Sequence, residues 1–324
     1  MTTAQTLLRA QSARLSALDP ELPDEHPLPH RGEPLMARVG GGEPVAGLAT
    51  RTSNPPGTLQ SLWSTAECFE LFPLVGDRPR AGMDALLHAW RARLHEQGVP
   101  AEDSSCVVTW PSRDVEASRA LLDHGFVPLS CLAVRPPSPA PNAKLPGTVK
   151  VRRAGPDDLE AVVELGLAEL DYAALVGGST RRADAAQLKR RAAHVRLNPA
   201  RQAGSQRAHR RVSEDPVWLA EQGGEPVALA ECGWTDTARH HSGQRLRTGE
   251  WAYVNCVSVL EPVRGTGVGS GLVALAHAEF ERAGVLGSFL YYNPPNPLSS
   301  VFWPRQGYRP LWTIWEVRPA AALR

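Results

Sequence analysis

The stretch Val257-Ser-Val-Leu-Glu-Pro-Val-Arg264-Gly-Thr-Gly267-Val-Gly269-Ser-Gly-Leu272 most restricts what this chain can fold into. It passes from an apolar, strand-like run straight into a helix-like one, with glycines at 265, 267, 269 and 271. Glycine lets the backbone approach a ligand closely and take positive φ, so several N–H groups can converge at the positive end of a helix dipole. Such a turn can cradle a pyrophosphate. Spacing excludes three other turns. A Walker A loop needs a Lys after its last glycine, and none follows here. A Rossmann GxGxxG would need glycine at Ser270 or at Leu272. A nucleophile elbow centred on Ser270 would have Val268 and Leu272 at its glycine positions.

The flanking pattern is alternately strand-like and helix-like. Thr148 to Val151 reads as a strand, and Pro156-Asp-Asp-Leu opens a helix with acidic residues in its first turn, where the helix dipole favours them. A second helix is expected over about Asp184 to Val195. Gln222-Gly-Gly-Glu between two alternating apolar runs predicts a hairpin. A strand should cover Trp251 to Val259, a helix Gly269 to Ala283 with Leu272, Leu275, Ala276 and Phe280 on one face, and a strand Gly287 to Tyr292. One more helix and two closing strands complete the expected order.

A second motif begins 29 residues after Gly267: Asn296-Pro-Leu-Ser299-Ser-Val-Phe302-Trp303-Pro-Arg-Gln-Gly307-Tyr308. Together with Arg264-x-x-Gly267-x-Gly269 and the element order, it makes residues 148 to 324 resemble the GNAT (GCN5-related) acyl-CoA N-acyltransferase superfamily. The resemblance implies an α/β fold with a central mixed sheet flanked by helices. It implies acetyl-CoA, or another acyl-CoA, as co-substrate and no metal. Val257, Ser258 and Val259 would pair with the pantetheine arm. The turn Arg264, Gly265, Thr266, Gly267, Val268, Gly269 and Ser270 would hold the pyrophosphate. Asn296, Ser299, Phe302 and Trp303 complete the expected donor side.

Chemistry in this family is chiefly positioning: a deprotonated amine attacks the thioester directly, with no covalent enzyme intermediate. Strict alternation puts Trp251, Tyr253, Asn255 and Val257 on one face, which the resemblance implies looks into the acceptor cleft, and Cys256 on the opposite face, as core. Tyr253 and Asn255 are therefore positional candidates, while Glu250, Glu231 and His240 or His241 are better bases by chemical type. Trp303 stands where the family's acid tyrosine is expected, and an indole cannot act as a practical acid. Tyr291, Tyr292 and Ser299 are the substitutes nearest in sequence. Trp234, Trp251, Tyr253, Trp303, Trp312 and Trp315 suggest an aromatic acceptor pocket.

Arg135-Pro-Pro-Ser-Pro-Ala-Pro-Asn-Ala-Lys-Leu-Pro-Gly147 carries five prolines and reads as a linker between domains at 1–135 and 148–324. Gly125-Phe-Val-Pro-Leu129 repeats as Gly307-Tyr-Arg-Pro-Leu311 at an offset of 182, each copy following a helix-length segment, which points to two tandem copies of one fold. Met36 to Thr50 reads as a hairpin like that at 216–232. The first copy has lost the glycine spacing at Val75 to Asp84, and Asp84 there would repel a pyrophosphate. Asp114 and Leu121 take the places of Asn296 and Trp303. The first half thus resembles a degenerate copy, and the resemblance to tandem members of the family implies that it walls the acceptor cleft or forms a dimer.

Composition narrows the function. Of 324 residues, 42% are hydrophobic and 21% charged, and 35 Lys+Arg against 34 Asp+Glu leave a formal net charge of +1, which excludes a disordered chain or a basic nucleic-acid coat. Residues 1–147 hold 13 basic and 16 acidic side chains, residues 148–324 hold 22 and 18. Ten Lys/Arg between Arg181 and Arg211 face only Asp184 and read as a solvated surface rather than a nucleic-acid site. Five separated cysteines show no metal-ligand spacing. No membrane span or signal-peptide core is evident, so a cytoplasmic monomer or homodimer is expected. The leading expectation is an N-acetyltransferase acting on a small-molecule primary amine, neutral or anionic given the basic second half. The alternative is a CoA-binding regulatory module without turnover.

Overall fold

The computed structural model describes residues 3–40, 42–100, 102–139, 144–198, 215–238 and 245–324. The first half of the chain forms α1 (Thr3–Leu18), β1 (Glu33–Arg38), β2 (Pro44–Ser53), β3 (Glu67–Leu74), α2 (Pro79–Gln97), β4 (Ser104–Pro111), α3 (Val115–Asp123) and β5 (Val127–Arg135). The second forms β6 (Val149–Arg153), α4 (Leu159–Leu175), α5 (Ala185–Leu197), β7 (Val217–Gln222), β8 (Glu225–Asp236), β9 (Glu250–Val259), α6 (Val268–Ala283), β10 (Ser288–Tyr292), α7 (Pro297–Arg305) and β11 (Arg309–Val317). Gly223 and Gly224 both take positive φ, as the two-residue hairpin between β7 and β8 demands.

All eleven strands join one mixed sheet in the order β1-β2-β3-β4-β11-β5-β10-β9-β8-β7-β6. Pairs β3/β4 and β9/β10 are parallel and the rest antiparallel. The two sequence halves exchange their last strands: β11 pairs with β4, β5 pairs with β10, and the two meet each other at the centre. This corrects the expected end of the chain. A single strand follows α7 among the described residues, because β5 already fills the place beside β10 that a second one would take.

The repeated motif has the same local form twice. Adding 182 carries α3 onto α7 and β5 onto β11, end for end. Gly125 and Gly307 share a φ of 87°, and the aromatic after each, Phe126 and Tyr308, is buried.

Helices cover both faces. In the first half, α2 and α3 bury Leu86, Trp90 and Leu121 against Val108 and Trp110. In the second, α6 buries Val268, Leu272, Val273, Ala276 and Phe280 against Ala230, Val254 and Leu290. Leu275, expected on that face, is instead 40% exposed, since Val273 completes the stripe with Leu272, Ala276 and Phe280. On the opposite face, α4 and α5 cover Val217, Leu219, Leu229 and Cys256.

Candidate active site

The site begins where β9 and β10 part. Their parallel pairing runs from Ser288↔Ala252 to Leu290↔Val254 and stops, although both strands continue. At the same level the β8/β9 register slips between Glu231↔Cys256 and Cys232↔Val254, leaving Asn255 as the extra residue of a β-bulge. The bulge shifts the side-chain phase by one and overturns strict alternation. Cys256 shares a face with Trp251 and Tyr253, toward α4, whereas Val257 and Val259 join Ala252 and Val254 toward α6. Asn255 stays exposed and its Nδ2 donates to Glu231 Oε2 at 2.7 Å.

A 590 Å³ cleft runs from this parting to the start of α6. Gly267 caps α6 with φ 96° and Gly265 has φ 77°, conformations that other residues adopt only with strain. The backbone amides from Gly265 to Ser270 find no protein acceptor among the described residues, so they are available to an anion at the helix N-terminus. A Cβ on Gly269 would press Val259 at 3.3 Å, and one on Gly271 would overlap Leu145 at 2.5 Å. Arg264 donates from Nε to Val259 O and lays its guanidinium 5.3 Å over the Tyr172 ring.

Of the residues singled out by sequence, Asn255, Cys256, Val257, Ser258, Val259, Arg264, Gly265, Gly267, Gly269, Ser270, Tyr291, Tyr292, Asn296, Ser299, Phe302 and Trp303 line the cleft. Asn296 caps α7, accepting from Leu298 N and Ser299 N. The Ser299 hydroxyl is engaged with Asn293 O and Asn296 O. Five candidates lie outside the lining, among them Glu231, which accepts from Asn255. Val268 is core, Thr266 turns its hydroxyl to Val263 O, Glu250 sits at the exposed start of β9, and Tyr253 stacks on Phe289 at 4.7 Å. Burial raises the Tyr253 phenol above its ordinary range. His240 and His241 fall outside the described residues. The expected aromatic pocket resolves mostly into core: Trp251 and Trp312 are fully buried together, Trp315 belongs to the first half's core, Trp234 packs on Phe280, and Trp303 alone of the six lines the cleft.

Sequence reading missed Glu169, Tyr172 and Gln306. Glu169 and Tyr172 project from α4 into the cleft, and no motif marks which turn of α4 faces it. Burial pushes the Glu169 carboxyl up, Lys189 at 4.0 Å opposes the shift, and Glu231 adds to it. Burial also raises the Cys256 thiol far above its ordinary range, leaving it an inert core group. It lifts the Tyr292 phenol to about 12, with Cys131 contributing. Gln306 donates to Ser270 Oγ at 3.4 Å and leaves its buried Oε1 without a partner.

In the first half, α1 packs over the end of β3. Gln11 of α1 is fully buried on the end of β3, where its Nε2 donates to Pro73 O and its Oε1 accepts from Val75 N. Arg14 follows onto Gly76 O and Asp114, the residue 182 before Asn296. Residues 57–64 pack instead on the α4–α5 turn of the second half: Gly57 N binds Asp184, Thr180 N binds Leu62 O, and Arg182 reaches Ser61 O and Ser64 O.

Residues 185–308 match the acetyltransferase (GNAT) family. Across nearly the whole chain the fold is similar to a GCN5-related N-acetyltransferase from Sphaerobacter thermophilus, at 16% identity over 98% of this chain and 93% of that one, with a TM-score of 0.58. A GCN5-related N-acetyltransferase from Kribbella flavida aligns at 16% identity over 95% and 94%, with a TM-score of 0.44. No protein of curated function matches the sequence. No described helix is long and apolar enough to cross a membrane. The glycine cradle at the head of α6, set beside two parting parallel strands, lies inside the segment that matches the acetyltransferase (GNAT) family.

Proposed function

We propose that the chain transfers an acetyl group from acetyl-CoA to the primary amine of a small molecule, using one active half and one degenerate half divided near 136–147. The unpaired amides of Gly265 to Ser270 carry this reading, because they face the cleft that continues into the β9/β10 parting. The pyrophosphate would rest on these amides, and the thioester would reach the parting between Asn255 and Tyr292. Glu169, and Glu231 through Asn255, stand on the α4 side, where an amine could lose its proton. These two carboxylates favour a cationic amine over the neutral or anionic one expected from net charge.

Trp303 at the usual acid position favours a second reading, a CoA-binding module without turnover. Calorimetric titration with acetyl-CoA, repeated on Gly267→Glu, tests the donor site. One site per chain, lost in the variant, supports the proposal, whereas absence of binding refutes both readings. Thiol release across a panel of amines then separates them.

A further inference from the structure

On the far side of the first half, Asp84 and His88 stand one turn apart on α2, and His124 lies just before the Gly125 turn that ends α3. Ligand atoms from all three fall within 4.8 Å of one another. We propose that Asp84, His88 and His124 form a binding site for one divalent transition metal of the zinc class, with the remaining position left to water.

The hydrogen bonding of His124 carries the argument. Its side chain is only 4% exposed, and both ring nitrogens face oxygen acceptors: Nδ1 lies 2.5 Å from the Arg324 backbone oxygen and Nε2 lies 2.9 Å from Asp84 Oδ1. A backbone oxygen and an ionised carboxylate have no proton to give, and a neutral imidazole has one N–H. A neutral ring satisfies only one of these two oxygens, and a cation at Nε2 would satisfy the other. The second imidazole supports the cation. The His88 ring sits edge-on to His124 at 4.6 Å, with its Nδ1 3.7 Å from Asp84 Oδ1 and 3.0 Å from Asp84 O. Two imidazoles and one carboxylate converging on a point form a donor set for zinc-like ions rather than calcium or magnesium.

The surroundings fit. Nδ1–H held by Arg324 O is the outer contact that fixes a metal-binding imidazole in the correct tautomer. The nearby guanidiniums of Arg80 and Arg119 both face Asp123 rather than the cluster. Asp84 and His88 are each about half exposed, so an ion can enter from solvent. The place 182 residues after His124 is Gln306, which reaches Ser270 on α6 as His124 reaches Asp84 on α2. The half that keeps its cradle therefore has an amide where the other has this imidazole.

The test uses full-length protein without an affinity tag, stripped with a chelator and titrated with Co²⁺ and then Zn²⁺. One Co²⁺ per chain, with the intense visible absorption of a low-coordinate site, displacement by Zn²⁺ and a rise in melting temperature, is expected. His88→Ala changes a half-exposed side chain and should fold normally while weakening Co²⁺ at least tenfold. His124→Gln should abolish the absorption. A chain that binds no Co²⁺, or binds it equally in His88→Ala, overturns the proposal.

Discussion

Cys131 on β5 and Thr313 on β11 are register partners, Sγ to Oγ1 at 3.7 Å, and they stand 182 residues apart, the offset that carries β5 onto β11. A position paired with its own counterpart marks a local twofold axis, the relation found at an isologous contact between two subunits. Here both strands belong to one chain. Because β5 and β11 are also exchanged, neither half can leave the sheet without opening the other.

Leu132, next to this axis, is fully buried with Leu311, Trp312 and Trp251. Leu132→Ala should therefore cost about 2–5 kcal/mol. The loss should appear as an earlier, still single, transition when urea unfolding is followed by tryptophan fluorescence and by far-UV circular dichroism. Two separated transitions would show that the exchanged strands do not couple the halves.

Gln11→Ala removes both hydrogen bonds at the end of β3 and takes the Gln11 partner from Pro73 O and Val75 N at a buried position. Each buried group that loses its partner costs about 1–3 kcal/mol. Urea midpoints should fall accordingly, while acetyl-CoA stoichiometry stays at one per chain. A second site appearing in this variant would mean that α1 occupies a competent donor cleft.

Local signals were the legible part of the sequence. The Gly223-Gly224 hairpin, the α6 cradle and the two Gly-aromatic turns each depend on glycine at a fixed place, so spacing alone exposes them. Strand exchange left no such mark, because β5 and β11 would read identically whether they closed their own half or the other. The bulge at Asn255 was equally hidden: an unbroken run of strand-forming residues carries no sign of which one the partner strand skips, and every face assignment beyond it inverted. Glu169 escaped for a related reason, since the long apolar stripe of α4 does not say which of its turns meets the cleft.

Tyr292 lines the cleft on the strand opposite Asn255, and burial with Cys131 keeps its phenol protonated up to about 12. On the proposed function, it would be the hydroxyl donor to a departing thiolate in place of the tyrosine missing at Trp303. Tyr292→Phe should lower kcat by about 10²-fold, the lower end for loss of a positioned acid. Acetyl-CoA affinity measured by calorimetry should stay within a factor of a few. An unchanged kcat would assign protonation to water.

His26 and His277 are both buried, and burial lowers each to about 3. Their folded values lie below those of the unfolded chain, so unfolding takes up protons between about pH 6.5 and pH 3 and stability falls as pH drops through that window. The expected slope is about 1.4 kcal/mol per pH unit for each histidine. Urea midpoints at pH 7 and pH 5 would show it, and His277→Gln should flatten the dependence. Equal slopes in variant and parent would exclude His277 as a source.

Glu169 sets the acid limb of the proposed reaction. Its carboxyl is raised by burial and by Glu231 and held down by Lys189, and only the ionised form can accept a proton from the amine. The rate at saturating acetyl-CoA should therefore rise with pH through a midpoint above the ordinary carboxylate range. Lys189→Met removes the opposing charge and should move that midpoint to higher pH, whereas Glu231→Gln removes a like charge and should move it lower. Glu169→Gln should abolish the limb and leave acetyl-CoA binding intact. Profiles that shift with neither Lys189 nor Glu231 would place the proton acceptor elsewhere in the cleft, since a charge 4.0 Å away in a half-buried site cannot be silent toward the group it faces.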